Sequence, residues 1–127
     1  MESEQGARRG ASDSPTNPET SGARYRLVAG RTLLFDNEGF LWHPSDWDEE
    51  VAVELAGELG LAEMDQRQWE VVRFLRTYYA ENGRSPLNRP LARGVGMSLL
   101  ELEGLFPQGI KYGARRVAGL PNPKNCT

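Results

Sequence analysis

Apolar residues in this chain change period along its length, and those changes divide it into elements. "RYRLVAGRTLLF" sets two short apolar runs on either side of Ala29-Gly30, a small-residue turn, and predicts a β-hairpin. "DNEGFLW" adds a second turn and room for a third short strand. In "HPSDWDEEVAVELAGELGL" the period lengthens. Val51, Leu55 and Leu59, with Ala52 and Ala56, recur every four residues and mark one face of a helix. Ser45 or Asp46 is placed to cap it, acidic residues fill its first turn, and Gly60 stops it. "MDQRQWEVVRFLRTYYAENG" carries the strongest helical signal. Asp65 and Gln68 have capping-box spacing, Val71, Leu75 and Tyr78 with Trp69, Val72 and Tyr79 form a broad stripe, and Gly83 ends it. Trp69, Phe74, Tyr78 and Tyr79 match helical spacing and are read as core.

Shorter helices follow. Ser85 can cap one with Pro86 at its first position, and Pro90 and Gly94-Val95-Gly96 interrupt it. Ser98 to Leu105 is a further amphipathic stretch closed by Pro107, and "GIKYGARRVAGL" predicts a last helix ended by Gly119. Pro121 and Pro123 bias the remainder toward extended polyproline geometry. The expected architecture is α+β and mostly α: a hairpin on a small helical bundle with a helix-turn-helix-like order. Residues 25–118 form the domain and 119–127 a mobile C-terminal arm. Residues 1–24 hold no large apolar side chain after Met1, cannot offset the entropy of ordering, and are read as a disordered tail.

Composition narrows the chemistry. A chain of 127 residues is about one domain. Its single cysteine, Cys126, excludes an internal disulfide, and with the single His43 it cannot assemble a four-ligand zinc site. No apolar run approaches the roughly 18 residues of a membrane span, and the N-terminus has no hydrophobic signal core. A lone thiol fits a reducing, cytoplasmic compartment. Charge is unevenly spread. Residues 36–81 hold twelve acidic and three basic side chains, and residues 84–127 hold seven basic and two acidic. Cys126 therefore lies in the positive half, where cations favour thiolate. Lys124, and Arg115 or Arg116 if the arm folds back, are the candidates for stabilising the thiolate. The helical run from Asp65 to Leu105 has the layout of a DNA-binding unit, yet its last helix bears Glu101 and Glu103 and no basic residue, which argues against direct nucleic-acid binding. No catalytic dyad, nucleotide loop or metal cluster is evident, and "GVG" at Gly94 is too short for a phosphate loop.

"DNEGFLWHPSDWDEEVAVELAGELGL", "QWEVVRFLRTYYAENGRSPLNR" and "LFPQGIKYGARRVAGLPNPKNCT" resemble the DsrC/TusE family of sulfur-carrier proteins, from about Tyr25 to Thr127. The most specific part is the ending, where a penultimate cysteine follows Gly-Leu-Pro-x-Pro. The resemblance implies a β-hairpin packed on a helical bundle with a mobile arm. It implies that Cys126 accepts sulfane sulfur as a persulfide and hands it on, with no cofactor beyond that covalent intermediate. The implied protein is a sulfurtransferase-type carrier rather than a stand-alone enzyme. Its implied partners are a DsrE-like or TusBCD-like donor complex and an acceptor such as a tRNA 2-thiouridylase, or a sulfur-oxidation relay. Two departures stand out. The position of the second cysteine in dissimilatory members, eleven before Cys126, is Arg115 here, which points to the TusE branch or to a one-cysteine regulatory paralogue. The segment between Arg89 and Leu105 is shortened and lacks a Gly-Asn-Ser motif. The alternatives are a sulfur-responsive regulatory or DNA-binding relative and an interaction protein with an incidental thiol.

Overall fold

The computed structural model describes residues 22–122. Strands β1 (Arg24–Val28) and β2 (Arg31–Phe35) pair antiparallel with Val28 opposite Arg31 and Arg24 opposite Phe35. Ala29 and Gly30, at φ +52° and +78°, make the two-residue turn whose twist matches that of the strands. β1 begins at Arg24, the last residue of the segment that composition assigns to the tail; residues 1–21 of that segment lie outside the described residues. The third strand reduces to a single bridge between Phe35 and Leu41. Asp36 explains why. Its Oδ1 accepts from the amides of Glu38 and Phe40 at 2.9 Å each, which curls residues 36–40 into a tight turn.

Helix α1 (Glu49–Glu58) is capped by Asp48, not by Ser45 or Asp46. Pro44–Asp46 instead form a 3₁₀ turn, which carries the chain past those two residues before the helix can start. Asp48 Oδ1 then accepts from the Val51 amide at 3.0 Å. Helix α2 (Gln66–Asn82) opens on the expected capping box and closes at Gly83. Gln68 also reaches across the bundle, its Nε2 donating to Leu105 O at 2.8 Å. Val71, Val72 and Leu75 are fully buried, while Trp69, Phe74 and Tyr79 flank the core half-buried. Tyr78 stacks on Phe74 at the edge of this stripe.

Helix α3 (Asn88–Val95) starts two residues later than Ser85 would have set, behind Leu87. Pro90 does not interrupt it, because it sits in the first turn, where no intrahelical donor is lost. Helix α4 (Leu99–Leu105) has a capping box between Ser98 and Glu101. The hydrogen bond from the Ser98 amide, with that from its hydroxyl, holds the exposed Glu101 carboxyl below its ordinary range. Glu101 and Glu103 both face solvent. The predicted last helix is present as α5 (Ile110–Arg115), which is π-helical.

α2 packs against both α3 and α5, and β1 against α1. The core between them is built from Val28, Phe35, Leu41, Val51, Val71, Leu75, Leu91, Leu102, Val117 and Leu120. The wide turn of α5 brings backbone close to its neighbours at Gly113, where a Cβ would lie 2.5 Å from Pro107 O and 2.8 Å from Phe106 Cβ. Backbone cannot swing aside as a side-chain tip can. Gly113→Ala is therefore expected to destabilise the fold by about 1–3 kcal/mol. Gly57→Ala, on the exposed face of α1 with nothing within 4 Å, is expected to stabilise it by about 0.5–1 kcal/mol. Chemical denaturation of the two variants checks the contrast; equal midpoints would contradict the tight packing of α5.

Candidate functional site

The site is the root of the C-terminal arm. Its positions follow from how α5 ends. Trp47 Nε1 donates to Val117 O at 2.8 Å, and Arg76 Nη1 donates to Ala118 O at 3.2 Å. Both fill carbonyls that a helix end leaves without an intrahelical partner. The Arg76 guanidinium also lies over the Trp47 ring, 4.4 Å from its centroid. Burial draws the Arg76 pKa down against a smaller opposing effect of Tyr79, and a cation facing a helix C-terminus remains favourable. Gly119 turns the chain at φ +71°, close enough to Trp47 that a Cβ would come within 2.3 Å of its ring. Leu120 then inserts fully into the core, a contribution of about 1.5–3 kcal/mol.

Beyond Leu120 the contacts become polar. The Asn122 Nδ2 donates to Asp36 Oδ2 at 3.1 Å and to Glu38 Oε1 at 3.0 Å. Glu38 Oε1 also accepts from the Tyr112 hydroxyl at 3.2 Å, and the Tyr112 ring packs on Phe40. Thus Gly119 to Asn122, which the sequence reading assigned to the arm, lie against the domain.

The four sequence-derived site residues fall in different places. Cys126 and Lys124 lie outside the described residues. Arg116 lies at the arm root, its guanidinium against Gly39, where a Cβ would come within 3.1 Å. Arg115 is fully buried on the other side of α5. Its Nε donates to Ser85 Oγ at 2.9 Å, and its Nη2 to Pro86 O at 2.6 Å and Asn88 Oδ1 at 3.0 Å. The structure therefore separates two adjacent arginines that the sequence reading had grouped. It also shows why Ser85 does not cap α3: its hydroxyl is an acceptor for a buried cation. Asp36, Glu38, Tyr112 and Asn122 were not picked out from the sequence. Asp36-Asn37-Glu38-Gly39 reads as an ordinary turn, and no spacing rule links it to a residue some 85 positions on.

A model of DsrC-like proteins matches residues 27–127. The chain belongs to the DsrC-like family. The sulfurtransferase TusE of Escherichia coli K12 is 36% identical over 107 residues, covering 79% of this chain and 97% of that protein. The sulfurtransferase TusE of Pectobacterium atrosepticum is 38% identical over 104 residues, covering 76% and 94%. Among solved structures, the oxidized gamma-subunit of dissimilatory sulfite reductase (DsrC) from Archaeoglobus fulgidus superposes with a TM-score of 0.73 at 34% identity, covering 82% of this chain and all of that one. The solution structure of Allochromatium vinosum DsrC gives a TM-score of 0.71 at 35% identity, covering 83% and 99%. The hairpin and bundle of this DsrC-like chain are therefore those of its family, as the resemblance implied.

In this family member the buried Arg115 ties the α2–α3 connection to α5. Arg115→Ala would strand the oxygens of Ser85, Pro86 and Asn88 and is expected to cost about 2–4 kcal/mol. Arg115→Lys should recover little, since an ammonium cannot reproduce the guanidinium fork. Arg116→Ala should stay within about 0.5 kcal/mol. Urea midpoints measure all three; a silent Arg115→Ala would show that the clasp holds nothing.

Proposed function

We propose that this chain is a sulfur-relay carrier whose Cys126 takes up sulfane sulfur as a persulfide and delivers it to an acceptor. The observation that carries this reading is membership of the DsrC-like family through residue 127, with relatives named sulfurtransferase TusE, combined with the position of the only thiol four residues beyond the docked Asn122.

In the first step the Cys126 thiolate attacks the outer sulfur of a donor persulfide. A new S–S bond forms on Cys126, the donor S–S bond breaks, and the donor leaves as thiolate, so no external oxidant is needed. In the second step an acceptor nucleophile attacks the terminal sulfur and Cys126 is released as thiolate. The domain contributes placement rather than acid–base catalysis. Four residues span at most about 14 Å when fully extended, which sets an upper bound on the distance from Asn122 to the thiol. Arg116 and Lys124 are the cations that support the thiolate and the persulfide anion, since nearby positive charge favours the ionised sulfur. Arg115 acts through the fold, its guanidinium being committed to the 85–88 segment.

The donor is a DsrE-like or TusBCD-like protein complex and the acceptor a tRNA 2-thiouridylase in the cytoplasm, by extension from the TusE relatives. Among the described residues no helix is long and apolar enough to cross a membrane.

Incubation with a cysteine desulfurase or another persulfide donor is expected to add about 32 Da, one sulfur atom, to Cys126 by intact mass spectrometry. Cys126→Ser should remove the adduct. Deleting Asn125 to Thr127 should do the same with melting temperature nearly unchanged. Arg116→Ala and Lys124→Ala should each shift the pH profile of Cys126 alkylation upward. An unmodified Cys126 with every donor would overturn the carrier reading.

A further inference from the structure

Asn122 is the outermost described residue and makes a contact of unusual form. One amide nitrogen donates to two carboxylates from the same turn, Asp36 at 3.1 Å and Glu38 at 3.0 Å. The receiving oxygens are already fixed. Asp36 spends Oδ1 on the amides of Glu38 and Phe40, leaving Oδ2 directed at the arm. Glu38 Oε1 is shared with the Tyr112 hydroxyl, and that ring is seated on Phe40. Carboxylates only accept, so the donor side of the Asn122 amide must face them. Yet the contact is shallow: Asp36 and Asn122 are half-buried and Glu38 is exposed. Leu120, two residues earlier, is fully buried. The chain end is thus held by a deep apolar anchor and, outside it, a polar contact that can break without disturbing the core.

We propose that Asn122, with Asp36 and Glu38, forms a latch that positions the root of the sulfur-carrying arm and sets the reach of Cys126. This rests on the carrier reading for its purpose, but its geometry does not depend on it. With the latch closed, Cys126 follows four residues after its last tether, a reach of about 14 Å. With the latch open the tether is Leu120, six residues back, and the reach grows to about 21 Å. A carrier that meets a donor and an acceptor of different depth can use both lengths. Asn122 is a positioning residue, since it acts through the chain and touches no reacting atom.

The sole cysteine allows a nitroxide to be attached at Cys126 alone, so the spectrum of the intact chain reports arm mobility. Asn122→Ala removes the donors, and Asn122→Asp sets a third carboxylate against two. Both are expected to sharpen the nitroxide lines, Asn122→Asp the more, with melting temperatures close to that of the parent. Asn122→Lys places a cation between the same carboxylates and should restore the broader lines. That rescue would not follow from a merely structural role for the amide. Lines that are unchanged in Asn122→Ala and Asn122→Asp, or equally sharp in Asn122→Lys, would overturn the latch. Loading of the unlabelled parent with inorganic polysulfide is scored separately: sharpened lines in the variants with no sulfur adduct on the parent would leave the latch standing and remove the carrier reading.

Discussion

The C-terminal half of the domain is organised around one buried cation. A guanidinium removed from water must have its hydrogen bonds made, because an unmet charge in the interior costs several kcal/mol. Arg115 answers this demand through Nε and Nη2, which draw in Ser85, Pro86 and Asn88. The consequences spread along the chain. Ser85 cannot cap α3, which begins behind Leu87 instead. The α2–α3 connection is fixed against α5, and α5 is fixed in turn against Phe106 and Pro107 at Gly113. Val117 and Ala118, just after Arg115, then fall where Trp47 and Arg76 can hold their carbonyls.

That framework grades from rigid to movable over a few residues. Val117, Ala118 and Leu120 are fully buried. Asn122 is held by hydrogen bonds to two carboxylates, in partial contact with water. A sulfur carrier needs both properties: the domain must give partners a fixed surface to recognise, and the thiol must travel. Ordering a free chain end costs conformational entropy on every docking event, so tethering the arm close to the thiol lowers that cost. The charge asymmetry takes on meaning at the arm root, where the acidic 36–38 turn and the basic Arg116 meet.

Much of the fold was legible in the sequence because its signals are local. The hairpin follows from apolar runs around Ala29-Gly30, α2 from its stripe and its Asp65–Gln68 box, and the left-handed turn beyond α5 from Gly119. The misreadings arose where a distant partner outbid a local preference. Ser85 has an acceptable capping position but serves Arg115, thirty residues away. Ser45 and Asp46 are good caps, but the 3₁₀ turn spends them before the helix begins. The site was half legible. The penultimate cysteine stood out by its neighbours, and Arg115 and Arg116 stood out by charge. That one of the pair faces the core and the other the arm root depends on which neighbours α5 packs against, which the local sequence does not reveal.

The central claim is that the chain remains packed structure through Leu120, six residues before Cys126. Native-state hydrogen exchange of the Ala118, Gly119 and Leu120 amides tests it most directly, since they donate to Ala114 O, Arg116 O and Arg115 O. All three are expected to exchange only through global unfolding, with the same free energy as the amides of Val71, Val72 and Leu75. Exchange of Leu120 at the rate of a frayed end would contradict it.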